Sequence, residues 1–347
     1  MVALVAALAL SAAVPARPPV AGPGRPQESP LPTLVVQREH ELSSATGLVA
    51  LTWPNVTYDR ARGETFVVAE GFVRIFNSVG MEMFRFGDDG SLGWVTRVVV
   101  LEDGTIIALA TLNGRRAFMR CDYRGELIAR FALMNLPAPF ADFDPDSILY
   151  RNGRLYFAER PRMRVVATDV DGTYRQSWDL AGIVASALRS DPDRKPQGYM
   201  DGFGVDSNGN LLFTMSVMFS AGVVSPSGDL RLFGTRGSTP GRFNNVGGID
   251  ADEEGNIYVV DRLRAVVSVW TPDLRHIGEW GYRGYGGTNL ITPYEIAVGN
   301  GHVFVAQAGN QGVKAFRVQF ADPPEAAPPP PRQLGAPQAA TGGAKPK

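Results

Sequence analysis

Cysteine is nearly absent: Cys121 stands alone in 347 residues. That excludes a disulfide framework, a zinc knuckle and the C-x-x-C-H of a c-type haem. Histidine is also scarce, with only His40, His276 and His302, and no G-x-S-x-G occurs anywhere. Lysine contributes four residues against 30 arginines. Charged residues make up 20% of the chain and the net charge is −1, which removes the electrostatic case for a nucleic-acid or anionic-membrane partner. The longest apolar run, residues 2–14, falls short of the ~20 residues that a membrane-spanning helix needs. What the chain has instead is glycine, 39 residues, and 44% hydrophobic residues. That is ample material for a core.

The apolar run suits the central part of a secretory signal, and Val14-Pro15-Ala16 places small residues where cleavage would fall. Residues 1–16 are therefore expected to be a signal peptide, and the protein to be exported to the periplasm or beyond. No membrane span is expected after cleavage. Residues 17–32 read as a Pro/Gly linker and residues 321–347 as a Pro/Ala-rich tail too poor in large apolar groups to fold. The folded part is then about 33–320.

Within it a motif recurs: a glycine followed by a β-rich apolar run, at Gly63, Gly104, Gly153, Gly209, Gly255 and Gly301. The intervals are 41, 49, 56, 46 and 46 residues. A short apolar stretch precedes each glycine, so each sits in a hairpin turn where a positive φ is cheap. A second turn follows 17 to 21 residues later, at Gly80, Gly125, Gly172, Gly228 and Leu274. Each unit thus has room for four antiparallel strands, the make-up of a β-propeller blade. The longest interval contains Leu180, Ile183, Val184 and Leu188 at helical spacing, which predicts a short helix on the surface. The sixth unit offers only three strands. Thr33–Arg38 is the one strand-like stretch left over, so it should pair with Val313–Val318 and close the ring. The expected fold is all-β, a six-bladed propeller of four-stranded antiparallel blades closed by an N-terminal strand.

The fifth unit is the most regular. Gly234, Gly237, Gly241 and Phe243 precede Gly248-Ile249-Asp250-Ala251-Asp252, then Gly255-Asn256-Ile257-Tyr258-Val259-Val260-Asp261. This resembles the NHL repeat, and the resemblance implies a six-bladed ring. NHL-like rings include protein- and RNA-binding platforms as well as lyases and lactone hydrolases, so function has to be read from the site.

Local motifs offer little chemistry. Asp250-x-Asp252-x-Glu254, with Asp261 at the twelfth position, looks like a calcium loop but recurs without its acids in the other units, as a plain hairpin would. Asp142, Asp144 and Asp146 read as a solvated loop, Cys121 as a buried thiol, and the three histidines as ordinary surface residues. Gly281–Gly287 reads as a connector into the sixth blade, and the five tryptophans as packing between blades. Topology is more informative. In a propeller the second strands end at one mouth of the ring, and the first strands begin there. This places Glu70, Asn113, Glu159, Arg160, Arg162, Asp261, Arg262, Arg264, Gln307 and Asn310 at that mouth, joined by Asp201, Asn245 and Tyr294 from the lead-ins to first strands. The mixture of acids, arginines and aromatics fits a non-catalytic recognition platform for a protein or small-molecule ligand. Glu159, Arg160 and Arg262 are the residues expected to matter for binding. No cofactor is predicted on this reading. The alternative is a metal-dependent hydrolase or lyase of the lactonase-like type. It would hold a divalent ion, calcium or similar, at the central mouth.

Overall fold

The computed structural model describes residues 30–49, 51–188 and 199–322. The expected signal peptide, most of the linker and most of the tail lie outside the described residues. A strand β1 (Thr33–Glu41) is followed by a small hairpin, β2 (Ser43–Ser44) and β3 (Gly47–Leu48). Blade one comprises β4 (Asn55–Asp59), β5 (Glu64–Ala69), β6 (Phe72–Phe76) and β7 (Glu82–Phe86). Blade two comprises β8 (Trp94–Val100), β9 (Ile106–Leu112), β10 (Arg115–Cys121) and β11 (Leu127–Phe131). Blade three holds β12 (Ser147–Arg151), β13 (Arg154–Glu159), β14 (Arg164–Thr168) and β15 (Tyr174–Asp179), followed by helix α1 (Leu180–Ala187). Blade four has β16 (Phe203–Val205), β17 (Leu211–Met215), β18 (Ser220–Val224) and β19 (Leu230–Phe233). Blade five has β20 (Val246–Ala251), β21 (Ile257–Asp261), β22 (Val266–Trp270) and β23 (His276–Gly281). Blade six has β24 (Pro293–Gly299), β25 (His302–Gln307) and β26 (Val313–Ala321), and β1 pairs with β26 as its outer strand.

The fold is the predicted one, an all-β six-bladed propeller of four-stranded antiparallel meanders. The closing strand is longer than expected: β1 runs to Glu41, past a register shift after Arg38, and its partners span Lys314–Ala321. His40 consequently lies in the outer strand of blade six. All six first-turn glycines have positive φ, between 69° and 87°. Leu274, which replaces glycine in the second turn of blade five, also has a positive φ, 68°.

Six buried apolar clusters occupy the six junctions between blades. Phe66 and Phe86 meet Val98 and Cys121 between blades one and two. Tyr58 and Phe76 meet Phe304 and Val313 where blade six closes onto blade one. Each fully buried large side chain contributes roughly 1.5–3 kcal/mol, so apolar packing holds the ring shut at every junction. The helix forms where the 3.6-residue spacing predicted it. Asp179 caps it by accepting the Gly182 N–H at 3.0 Å, and Leu180 and Val184 bury against blades three and four. The rest of that insertion, 189–198, lies outside the described residues. The tryptophans divide: Trp178, Trp270 and Trp280 are buried as expected, whereas Trp53 and Trp94 are each 60% exposed. Both stand at or just before the start of an inner strand, where the chain enters a blade from the loop face and a neighbouring blade covers only part of the indole. No helix among the described residues is long and apolar enough to cross a membrane.

Candidate functional site in the central channel

The inner strands of all six blades line a cavity of about 320 Å³ on the ring axis. Its charged lining comes from local breaks in β-alternation. In β8 the register shifts between Val95 and Arg97, so Val95 and Val98, three residues apart, pack into the same junction. The same shift occurs between Pro293 and Glu295 of β24, with Tyr294 and Ala297 packed together. Bulges of this kind re-aim side chains. Here Arg97 and Glu295 line the cavity and pair across it, Arg97 Nη2 donating to Glu295 Oε2 at 2.9 Å. The equivalent shift in blade five falls at Gly247-Gly248. A Cβ on Gly248 would stand 2.9 Å from the Glu295 Cα and the Ile296 nitrogen. Glycine there lets the backbone of blade six approach and sets where Glu295 stands.

Two further ion pairs complete the mouth end. Arg160, directly after β13, donates Nε to Asp146 Oδ2 at 2.9 Å and Nη1 to the Asp201 carbonyl at 3.2 Å. Asp146 Oδ1 in turn accepts the Arg160 N–H at 3.0 Å. Arg262, directly after β21, brings Nη1 to 3.6 Å from Asp201 Oδ1, while its buried Nε has no hydrogen-bond partner. Asp201 is fixed on its other oxygen by the Ser216 N–H at 2.8 Å. Around this end Trp53, Trp94, Tyr199 and Leu263 are exposed, and Trp53 meets Tyr294 edge-on at 5.0 Å.

Of the predicted mouth residues the structure brings Arg160 and Asp201 together in the channel, with Arg262 set against Asp201. The Tyr294 hydroxyl donates to the Pro54 carbonyl, and burial pushes its pKa up. The others are on the same face but occupied elsewhere. Glu159 is buried and holds Arg164 at 2.8 Å, with Arg162 at 3.4 Å. Arg162 also pairs with Asp142 at 2.6 Å. Asp261 accepts four backbone N–H groups, those of Asn244, Asn245, Leu263 and Arg264. Asn245 offers its carbonyl to the Arg262 N–H at 2.7 Å. Arg264 clamps Glu279 and donates to the carbonyls of Ser238 and Arg242. Gln307 caps the Ile291 N–H at 2.7 Å. Glu70, Asn113 and Asn310 sit in turns with positive φ. Arg97 and Glu295 escaped the sequence reading. The available signal was a charge set within an otherwise apolar inner strand, which strict alternation does not flag.

The acidic motifs do not converge. Asp252 caps its own turn through Asn256 and Tyr258, whereas Asp250 points to Val298. Asp142, Asp144 and Asp146 each pair with a different arginine set. His40, His276 and His302 lie in outer or second strands away from the mouth. Cys121 is buried, and burial pushes its thiol up to about 11.

No protein-family model matches the chain, and no curated protein does. Solved structures do. A streptogramin B lyase shares 15% identity over 82% of this chain and 98% of its own, with TM-score 0.50. A structure described as a putative gluconolactonase shares 14% identity over 83% and 93%, with TM-score 0.52. A calcium-binding regucalcin from Agrobacterium tumefaciens shares 13% over 84% and 96%, with TM-score 0.53. At these identities the likeness is one of fold, a six-bladed propeller. No family model supports the NHL likeness, which blade five carries in detail. A divalent ion of the kind the calcium-binding relative carries needs several oxygens free to converge. Among the described residues no group of three or more His, Cys, Asp or Glu is placed to hold a metal. At the mouth Glu295, Asp201 and Asp146 are each set against an arginine. The donor set of this channel does not fit such an ion.

Proposed function

We propose that the protein is an enzyme of the hydrolase or lyase kind that acts on a small polar molecule at the mouth end of its central channel. One observation carries this reading. A cavity of about 320 Å³ is lined by Glu295, Asp201, Arg97 and Arg160, with Arg262 beside Asp201. These charges are half-buried, their side chains 11–32% exposed, and they gather on the axis of an otherwise apolar ring, where a cluster of charges marks a candidate site. A carboxylate at Glu295 can take a proton from a water or from a carbon acid. Arg97 and Arg160 supply N–H donors for the oxygen on which negative charge then develops. None of these roles needs a metal, and the pairing of each carboxylate with arginine supports a reaction without one. The lyase and the putative gluconolactonase of the same fold are consistent with this class of chemistry and do not specify the substrate.

A second reading, a non-catalytic recognition surface, is favoured by the exposed Trp53, Trp94, Tyr199 and Leu263 on the same face. Exposed aromatics on a rim are the usual anchors of an interface. The two readings separate in one set of assays. A panel of lactones and esters is monitored for acid release, with and without chelator, for the wild type and E295Q. Turnover that survives chelation and is lost in E295Q at an unchanged Tm supports the enzyme. No turnover across the panel, together with partner capture that W53A/W94A abolishes, would replace it with the platform.

A further inference from the structure

The opposite end of the channel is closed by two arginines from different blades. Arg60 follows β4 in blade one and Arg151 ends β12 in blade three. Both reach inward and donate Nη2 to the same acceptor, the Ala251 carbonyl of blade five, at 3.3 and 3.2 Å. Two guanidinium groups on one carbonyl oxygen repel each other, and each needs negative charge nearby. Arg60 has it: its Nε donates to Glu253 Oε1 at 3.1 Å, and its Nη2 lies 3.6 Å from Asp250 Oδ2. Arg151 does not. Among the described residues no carboxylate stands within ion-pair distance of it, although the residue is only 8% exposed and lines the cavity. Its Nε is enclosed and has no hydrogen-bond partner.

The neighbouring acids are already engaged. Asp250 accepts the N–H groups of Ala251 and Val298, both at 2.8 Å. Glu253 accepts Arg60 on one oxygen and the Asn300 N–H on the other, at 3.0 Å. Arginine stays protonated at any physiological pH, so its cost cannot be relieved by losing the proton. A guanidinium held through Nη2 by one carbonyl, on a residue that lines a polar cavity, is half of the two-point arrangement that binds a carboxylate or phosphoryl group.

We infer that the channel floor is an oxyanion site in which Arg151, supported by Arg60, takes the negatively charged oxygens of a small molecule. The inference concerns other residues than the mouth chemistry and stands or falls apart from it. The same chemistry admits a free inorganic anion or an anionic group on a larger organic molecule, and the probes distinguish them.

The full chain is titrated calorimetrically with inorganic phosphate, with acetate and with chloride, all at matched ionic strength. Saturable binding of phosphate or acetate over chloride is expected, weakened about tenfold or more in R151Q, as loss of a charge-assisted pair requires. R175Q, which removes an exposed arginine paired with Asp169, should bind as the wild type does. Phosphate alone would mark an inorganic-anion site, and acetate as well would mark a site for organic carboxylates. Should R151Q fail to fold, crystals of the wild type soaked in selenate decide, with an anomalous peak expected in the cavity beside the Arg151 guanidinium. Absence of saturable binding, binding unchanged in R151Q, or a selenate peak elsewhere overturns the inference.

Discussion

Replacing Asp261 with alanine should destabilise the ring strongly. The side chain is fully buried at the end of β21. Its Oδ1 accepts the N–H groups of Asn245, Leu263 and Arg264 at 3.3, 3.1 and 3.1 Å, and its Oδ2 accepts that of Asn244 at 2.6 Å. One carboxylate thus ties the loop entering blade five to the loop leaving its second strand. Hydrogen bonds to a charged group contribute roughly 1.5–3 kcal/mol each, so four would sum to about 6 kcal/mol at the low end of that range. Some of these amides would regain water as the loops part, and D261A is therefore expected to cost about 3–4 kcal/mol. D261N keeps the acceptor facing three amides and turns an N–H donor toward the fourth. About half the loss is expected. The assay is urea unfolding of both variants followed by tryptophan fluorescence, with the slope compared to exclude a changed unfolded state. A D261A variant within about 1 kcal/mol of the wild type would show that the four amides are satisfied without the carboxylate, and the structural role assigned here would be wrong.

Gly248 offers a contrast between two glycines. G248A places a Cβ against the blade-six backbone at 2.9 Å and should cost about 1–3 kcal/mol through overpacking, whereas G286A, with nothing within 4 Å, should leave the urea midpoint unchanged. For Cys121, thiol-specific labelling at pH 8 should be negligible in the native protein and complete in denaturant. Its folded pKa is raised from 9.0 to about 11 by burial. The native state therefore holds its proton where the unfolded chain gives it up. The associated stability is intact below pH 9 and is lost progressively as the pH rises toward about 11. C121A should flatten that alkaline limb, and an unchanged limb would assign it to other groups.

The ring itself was legible because its determinants are local and repeated. A glycine at each tight turn and an apolar run after it need no long-range information, and six copies at near-equal intervals leave few alternatives to a propeller. Closure by Thr33–Arg38 followed from an edge that would otherwise go unpaired. What local reasoning misjudged was exposure. Trp53 and Trp94 have the size and apolarity of core residues, and only their position at or just before the starts of β4 and β8, above the last packed layer, leaves them in solvent. Blade packing reaches as far as the strands do.

The site was less legible, for a reason that lies in the inner strands. Topology places the ends of the second strands on one face, but a strand end there can turn its side chain toward the axis or back into its own loops. Asp261 and Gln307 turn back, because loop amides lie within reach and water does not. Arg160 and Arg262 extend inward, because they follow the strand rather than end it, and their length carries the charge to Asp146 and Asp201. Arg97 and Glu295 depend on register shifts that no residue type announces. Their counterparts in blade five are Gly247 and Gly248, which let the blade-six backbone pack closely where blades two and six contribute charge. A sixfold backbone thus carries a channel whose lining differs from blade to blade. That asymmetry, which a purely structural repeat has no need to build, is the physical reason to look for its chemistry on the axis.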